Sequence, residues 1–195
     1  MILIEPCCTS KTVPAILSRL GNSGTELWHG CADLTLADLL TPILAHYNGG
    51  VELLLVAPRI PQYLADALRT HLAQGSIAHL TLLTDARSST GAPAANLAQS
   101  YPARITLASH PVADTLLLLP DTAWWGNLGR GEHIGTVTRN NLVVASLRKV
   151  WGRGGEAVSH NVRRIHSITL HFFVFSNKIL SNNFVSKKLI TNFTV

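Results

Sequence analysis

Short apolar runs alternate with amphipathic segments along the first 85 residues of the chain. Continuous apolar runs of this length are typical of buried strands, and apolar positions three and four residues apart are typical of one helix face. The predicted strands are residues 1–4, 25–30, 51–56 and 77–84, and the predicted helices cover about 10–20, 35–47 and 61–74. This alternation predicts an α/β fold with a mostly parallel sheet flanked by helices.

The clearest of these elements is the helix that follows Thr35. Thr35 is a suitable N-cap, with Asp38 three residues later, and Gly49 and Gly50 end the pattern. Its apolar positions recur at helical spacing: Leu36, Leu39, Leu40, Ile43, Leu44 and Tyr47. The run that follows, VELLLV, is too continuously apolar to be half exposed, and it is therefore predicted to be a central strand.

The pattern changes after residue 85. Residues 85–101 are rich in Ser, Thr, Gly, Pro, Ala and Asn and are predicted to form a long loop. Shorter strands are predicted at 104–108, 115–119, 122–125 and 134–138, and residues 141–151 read as a strand or a short helix. Their close spacing favours antiparallel neighbours, so the second half of the domain is expected to be more antiparallel than the first.

Charge and composition both change near residue 150. Residues 1–150 hold ten Lys or Arg and ten Asp or Glu, whereas residues 151–195 hold six basic residues and one acidic residue, which accounts for the net charge of +5. All five Phe lie in 151–195, and all nine Pro and every Asp precede it. The chain is therefore divided into a domain at 1–150 and a basic tail rich in Phe, Asn and Lys at 151–195. Translation past a truncated or frameshifted gene end would produce such a tail, which is then non-native or disordered; a native tail that binds a partner is the alternative.

Cysteine usage and hydropathy bear on the compartment. Three cysteines form an odd, sparse set in which Cys7 and Cys8 are adjacent, which favours a reduced, cytoplasmic protein over a disulfide framework. No signal peptide or membrane span is expected, because the apolar runs are much shorter than the roughly 20 residues that cross a bilayer. No cofactor or metal is expected either, since Cys7, Cys8, His29 and Cys31 match no zinc-site spacing.

The order of elements in ELWHGCADLTLADLLTPILAHYNGGVELLLVAP resembles the opening half of phospholipase D-like domains, in which a helix ends at a glycine and leads into a buried strand. The stretch ITLASHPVADTLLLLPDTAWWGNLG is similar in shape to that family's strand, tight turn and Gly-Ser-x-Asn stretch. The resemblance covers about residues 1–130 and is one of element order more than of identities. It implies a single phospholipase D-like domain over residues 1–150.

The resemblance also implies where the family's catalytic residues would stand. The chemistry uses a His nucleophile, a Lys two residues later and an Asp five residues beyond the Lys, and a phosphohistidine divides one displacement into two steps. With Asp121 in the Asp position, Asp114 stands where the His belongs and Leu116 where the Lys belongs. In the other register, Pro120 takes the Asp position and the remaining two hold Ala113 and Thr115. The nucleophile and the phosphate-binding cation are missing in both.

Four residues are vestigial candidates for such a site: His110, Asp114, Asp121 and Asn127. His110 lies near the position of the nucleophile, but nothing in the local sequence replaces the Lys. A phosphate transition state without a cation loses much of the electrostatic stabilisation on which catalysis depends. No catalytic residue is therefore expected.

Three functional hypotheses follow. The first is a catalytically inactive phospholipase D-like domain with a structural or interaction role. The second is a phosphodiester hydrolase or nuclease that uses His110 with Asp114, Asp121 or Asn127, and the third is binding of nucleic acid or an anionic surface through the basic tail. Active family members assemble two half-sites, in one chain or across a dimer, so the resemblance also implies a homodimer.

Overall fold

A computed structural model of the chain describes residues 11–30, 34–85, 91–126 and 133–152. These residues form five helices and seven strands. In chain order they are α1 (Val13–Leu20), β1 (Thr25–Gly30), α2 (Leu36–Leu44), β2 (Val51–Ala57), α3 (Gln62–Ala73), β3 (Ile77–Thr84), α4 (Gly91–Ser100), β4 (Ile105–Ser109), β5 (Thr115–Leu118), β6 (Ala123–Gly126), β7 (His133–Thr138) and α5 (Asn141–Trp151). The strand predicted at 1–4 and the tail beyond residue 152 lie outside the described residues.

All seven strands belong to one mixed sheet, in the order β1-β7-β6-β5-β2-β3-β4. The pairs β2·β3 and β3·β4 are parallel. The pairs β1·β7, β7·β6, β6·β5 and β5·β2 are antiparallel. The prediction of an α/β fold is confirmed, and the prediction of a mostly parallel sheet is wrong.

The incorrect part of this prediction is which strands are neighbours; the direction in which the strands run is as expected. The pairings make β1, β2, β3, β4 and β6 point the same way, as expected when helices connect successive strands. However, β5, β6 and β7 lie between β1 and β2, so those two strands never pair. Similarly, β4 does not pair with β5, because it adds to β3 at the far edge of the sheet.

The helices cover the two faces of the sheet unequally. A large cluster of buried apolar side chains joins α1, α2, α3 and α4 to one face, and a smaller cluster joins α5 to the other. Alternation along the strands produces this division, since successive side chains point to opposite faces. Thus Trp124 is completely buried in the large cluster, where its ring lies 5.9 Å from that of Trp28, while Trp125 packs against the small cluster.

One segment differs from its predicted structure, and another decides between two predicted alternatives. Residues 91–100, predicted as part of a loop, form α4, whose Ala94 and Leu97 are buried three residues apart. Residues 141–151 form a helix, α5, whose N-cap Asn140 accepts hydrogen bonds from two backbone N–H groups. The best-predicted helix, α2, has the expected Thr35 cap, and Asp38 completes a capping box.

Candidate functional site

The sheet has two ends, and two of the four candidate residues lie at one of them. The carboxyl end is defined here as the end at which β1, β2, β3, β4 and β6 terminate, and the amino end is the opposite one. His110 directly follows β4, and Asp114 directly precedes β5, so both lie at the carboxyl end. Asn127 follows β6 in sequence and lies outside the described residues. Ligands of open α/β sheets bind outside the carboxyl ends of their parallel strands, so this is the appropriate end for a site.

Asp121 lies at the amino end. It follows β5 in the turn to β6, where the Leu119 N–H donates to the carbonyl of Thr122 at 2.8 Å. The four residues of β5 separate it from Asp114 by at least roughly 13 Å, at about 3.3 Å per residue. The structure therefore does not bring the four predicted candidates together.

The Asp121 carboxylate is held by three neighbours from different parts of the chain. The Tyr47 hydroxyl donates to Oδ1 at 2.5 Å and the Thr122 hydroxyl donates to the same oxygen at 3.0 Å. The Arg139 guanidinium forms an ion pair with Oδ2. Tyr47 follows α2 and Arg139 follows β7, so one carboxylate connects three separate segments at the amino end.

These contacts also set the protonation of the cluster. Partial burial by itself raises the pKa of the Asp121 carboxyl, but hydrogen bonds from Tyr47, Arg139 and Thr122 outweigh it, so this pKa lies below its usual range. Burial, and then the hydrogen bond to Asp121, raise the pKa of the Tyr47 hydroxyl above its ordinary value. A neutral phenol and a charged carboxylate are the expected states at neutral pH.

The His110 ring packs against its neighbours, and its Nε2 atom does not face solvent. Its backbone N–H donates to the Thr84 carbonyl at 2.9 Å, which continues the pairing of β4 with β3. Its ring meets the Trp151 ring edge to face, with centroids 5.9 Å apart and planes at 80°. Nε2 is buried and accepts or donates no hydrogen bond within the part of the chain that the structure describes. A nucleophilic nitrogen would need to reach a phosphorus atom, and this one is covered.

The position of the expected phosphate-binding cation is occupied by buried side chains. Leu116 and Thr115, which fill it in the two registers, are 6% and 7% exposed. The carboxyl end also holds a cation that the sequence motifs do not single out: Arg59, which is exposed two residues after β2 ends. A sequence signal for Arg59 does exist: β2 and β3 are predicted to be parallel, and the residues that follow parallel strands lie at the same end of the sheet.

Two other histidines, His71 in α3 and His79 in β3, make structural contacts. The Nε2 of His71 lies 3.2 Å from the Thr41 hydroxyl and so joins α3 to α2, and burial lowers the pKa of His71. The Nε2 of His79 lies 3.1 Å from the Thr106 hydroxyl. Among residues 11–30, 34–85, 91–126 and 133–152, no group of three His, Cys, Asp or Glu side chains could hold a metal ion. Cys7, Cys8 and Cys31 are not among them.

Comparison with known proteins identifies similar folds at low sequence identity. No family model and no curated protein matches the sequence. Among solved structures, polyphosphate kinase from Porphyromonas gingivalis is 16% identical, with a TM-score of 0.51, over 80% of this chain and 31% of its own. Phosphatidylserine synthase from Haemophilus influenzae Rd KW20 is 12% identical, with a TM-score of 0.46, over 80% and 48%. TrmBL2, an archaeal chromatin protein that binds DNA, is 12% identical, with a TM-score of 0.45, over 71% and 54%.

The similarity to polyphosphate kinase concerns the fold. Polyphosphate kinase has a phospholipase D-superfamily fold, and at 16% sequence identity the similarity of this chain to it is one of fold alone. This chain spans between 31% and 54% of the length of the three proteins. No helix in the described part of the chain is both long enough and apolar enough to cross a membrane.

Proposed function

We propose that this chain is a phospholipase D-like α/β domain that does not cleave phosphodiester bonds and that acts as a structural or interaction module. The observation that carries the proposal is the position of Asp121. This carboxylate stands at the motif position of the family's Asp, yet it lies at the amino end of the sheet and is held by Tyr47, Thr122 and Arg139. An acidic side chain bound in this way stabilises the fold and is not available to a phosphate group at the carboxyl end.

The environment of His110 supports the same proposal. A histidine that attacks phosphorus needs an exposed lone pair and a cation that neutralises the phosphate oxygens. The Nε2 atom of His110 is buried beside Trp151, and the residues at the motif's Lys position are apolar or buried. Both requirements are therefore unmet by the residues that the motif places there.

Hydrolysis of bis(p-nitrophenyl) phosphate by the full-length chain tests the proposal. We expect no nitrophenolate release above that of buffer, and the same rate from His110→Ala. The matched control is His79→Ala, which removes a half-buried histidine from the neighbouring strand β3. A phosphodiesterase of known activity, assayed in parallel, establishes that the conditions support turnover.

One observation favours the alternative of a phosphodiester hydrolase. His110, Asp114 and Arg59 all lie at the carboxyl end, and Arg59 has no ion-pair partner among the described residues. Turnover that is lost in His110→Ala and Arg59→Ala but retained in His79→Ala would establish that alternative and overturn the proposed inactivity. Turnover that survives all three substitutions would place catalysis elsewhere and would also overturn it.

A further inference from the structure

The strand β4 forms one edge of the sheet in the part of the chain that the structure describes. The Leu80 N–H donates to the Arg104 carbonyl and the His110 N–H to the Thr84 carbonyl, each at 2.9 Å. Because backbone groups of a strand alternate in direction, these two bonds turn the N–H and C=O of alternate residues towards β3. They therefore turn the N–H and C=O of Leu107, at the centre of β4, away from the sheet.

Within the described residues, β4 has no charge, no proline and no bulge, three features that commonly protect an edge strand. Its sequence is ITLAS, and its register with β3 is continuous. Leu107 is 39% exposed and is one of the large apolar side chains on the surface. The opposite edge strand, β1, carries Glu26, whose carboxylate pairs with Arg19 at 3.2 Å. Natural edges are commonly protected by charge, proline or a bulge, so β4 has the composition of a strand that pairs.

The sequence segment that contains β4 is also almost free of charge. Between Gly91 and Ala113, which include α4 and β4, Arg104 is the only Asp, Glu, Lys or Arg, although such residues make up 14% of the chain. Its guanidinium is bound within the domain, to the carbonyls of Ile77 and Ala78. We call residues 91–113 the neutral edge.

Charge identifies the kind of partner that the neutral edge fits. Nucleic acids and anionic surfaces are bound through clusters of Lys and Arg, which this segment lacks. A two-fold symmetric dimer brings the same patch of both subunits together, so any charge near the axis meets its own copy. A patch without charge avoids that repulsion, so the neutral edge fits a second copy of itself.

We propose that two copies of this chain pair through β4, in antiparallel orientation, about a two-fold axis at Leu107. In such a pair Leu107 and the partner's Leu107 exchange both backbone hydrogen bonds, because the outward N–H and C=O of each face the other. Their side chains lie on the same face and contact each other. The pairing joins two seven-stranded sheets into one. This inference rests on the proposed interaction role and gives that role a partner, a second copy of this chain. The pairing is centred on Leu107 and not on the carboxyl-end candidates His110 and Asp114.

The first test measures the mass of the full-length chain and the position of a disulfide. Sedimentation equilibrium is expected to give twice the 21.1 kDa chain mass. Opposed residues of such a pair have Cα atoms about 5.5 Å apart, which a disulfide can span. Oxidised Leu107→Cys should therefore form a Cys–Cys bond between two copies at position 107, identified by peptide mapping. Leu142→Cys is the control, because Leu142 is 80% exposed and lies on α5.

The second test weakens the pair by charge. Leu107→Lys places two ammonium groups opposite each other and is expected to raise the dimer dissociation constant at least about tenfold, since like charges directly opposed across strands are unfavourable. Leu142→Lys should leave that constant unchanged. A monomeric wild-type chain would overturn the inference, as would a dimer that neither forms the 107 disulfide nor responds to Leu107→Lys. These outcomes are independent of the phosphodiester assay, so loss of the dimer and discovery of turnover remain distinguishable.

Discussion

Asp121 stands at a catalytic position of the sequence motif, but its contacts in the structure stabilise the fold. The register that placed it in the family's Asp position depends only on spacing within one segment. Its partners are 74 residues earlier, at Tyr47, and 18 residues later, at Arg139. Neither partner lies within residues 109–129, the segment in which the motif spacing was measured. Only the fold reveals that the carboxylate is already satisfied.

Replacing Asp121 with Asn should therefore destabilise the fold. Asn keeps the shape of the side chain but removes the charge that pairs with Arg139, and we expect a loss of about 1–2 kcal/mol in the free energy of unfolding at pH 7. Urea unfolding measures it. Asp66→Asn is the matched control: Asp66 pairs with Arg69 at 2.6 Å, but the two side chains are 50% and 40% exposed, so the loss of stability should be below about 0.5 kcal/mol.

The same variant has a defined pH dependence. The folded-state pKa of Asp121 is lowered, so its contribution is complete above the unfolded-state pKa of about 3.9 and is lost as pH falls through the folded value. The difference in stability between wild type and Asp121→Asn should thus be constant from pH 7 to pH 5 and shrink below about pH 4. A difference that stays constant down to pH 3 would show that the charge of Asp121 contributes nothing.

At the scale of elements, sequence reasoning succeeded where a strong periodicity decides the structure. The helix after Thr35 and the strand at 77–84 have the predicted type and nearly the predicted bounds. The failure was α4, because Gly, Pro, Ala and Ser are typical of loops and Leu97 is its only large apolar residue. Burial of Ala94 and Leu97 against the sheet stabilises a helix that local composition alone does not favour.

The pairing of β1 with β7 depends on a close contact that only glycine permits. Gly135 lies opposite Trp28, and the Trp28 ring crosses it to reach Trp124. A Cβ at Gly135 would lie 2.5 Å from Trp28 Cε2 and 2.6 Å from the Trp125 carbonyl oxygen. Both distances are shorter than real contacts allow, and the second involves backbone that cannot turn aside.

Gly135→Ala should therefore lower the free energy of unfolding by about 1–3 kcal/mol, the usual cost of overpacking. The shift of the Trp28 ring should also change the near-ultraviolet circular dichroism of the folded protein. Thr136→Ala, at the next position of β7, is the control, because it adds no atom and should cost less. Unchanged stability in Gly135→Ala would mean that β1 and β7 are not held at this distance.

At the scale of the whole molecule, the sequence predicts strand direction better than strand order. Helical connections from β1 to β4 require those strands to run the same way, and they do. Nothing in the sequence of residues 25–56 indicates that β5, β6 and β7 separate β1 from β2, because that arrangement depends on strands that begin only at Thr115. Asp114 and Asp121 lie at opposite ends of the sheet because β5 runs between them, so motif spacing alone does not assemble the candidate site.

The division of the chain near residue 150 leads to the last prediction. The last residue of the large cluster is Val137 and that of the small cluster is Val144, against which Trp151 packs, and the acidic and basic residues of 1–150 balance. A chain that ends at Gly152 should therefore unfold cooperatively in urea, with a free energy of unfolding within about 1 kcal/mol of the full-length value. Its affinity for duplex DNA should also be lower, because the excess of basic residues is gone. A shortened chain that aggregates or unfolds gradually would instead make residues 153–195 a part of the folded domain, and would count against a gene-end artefact as their origin.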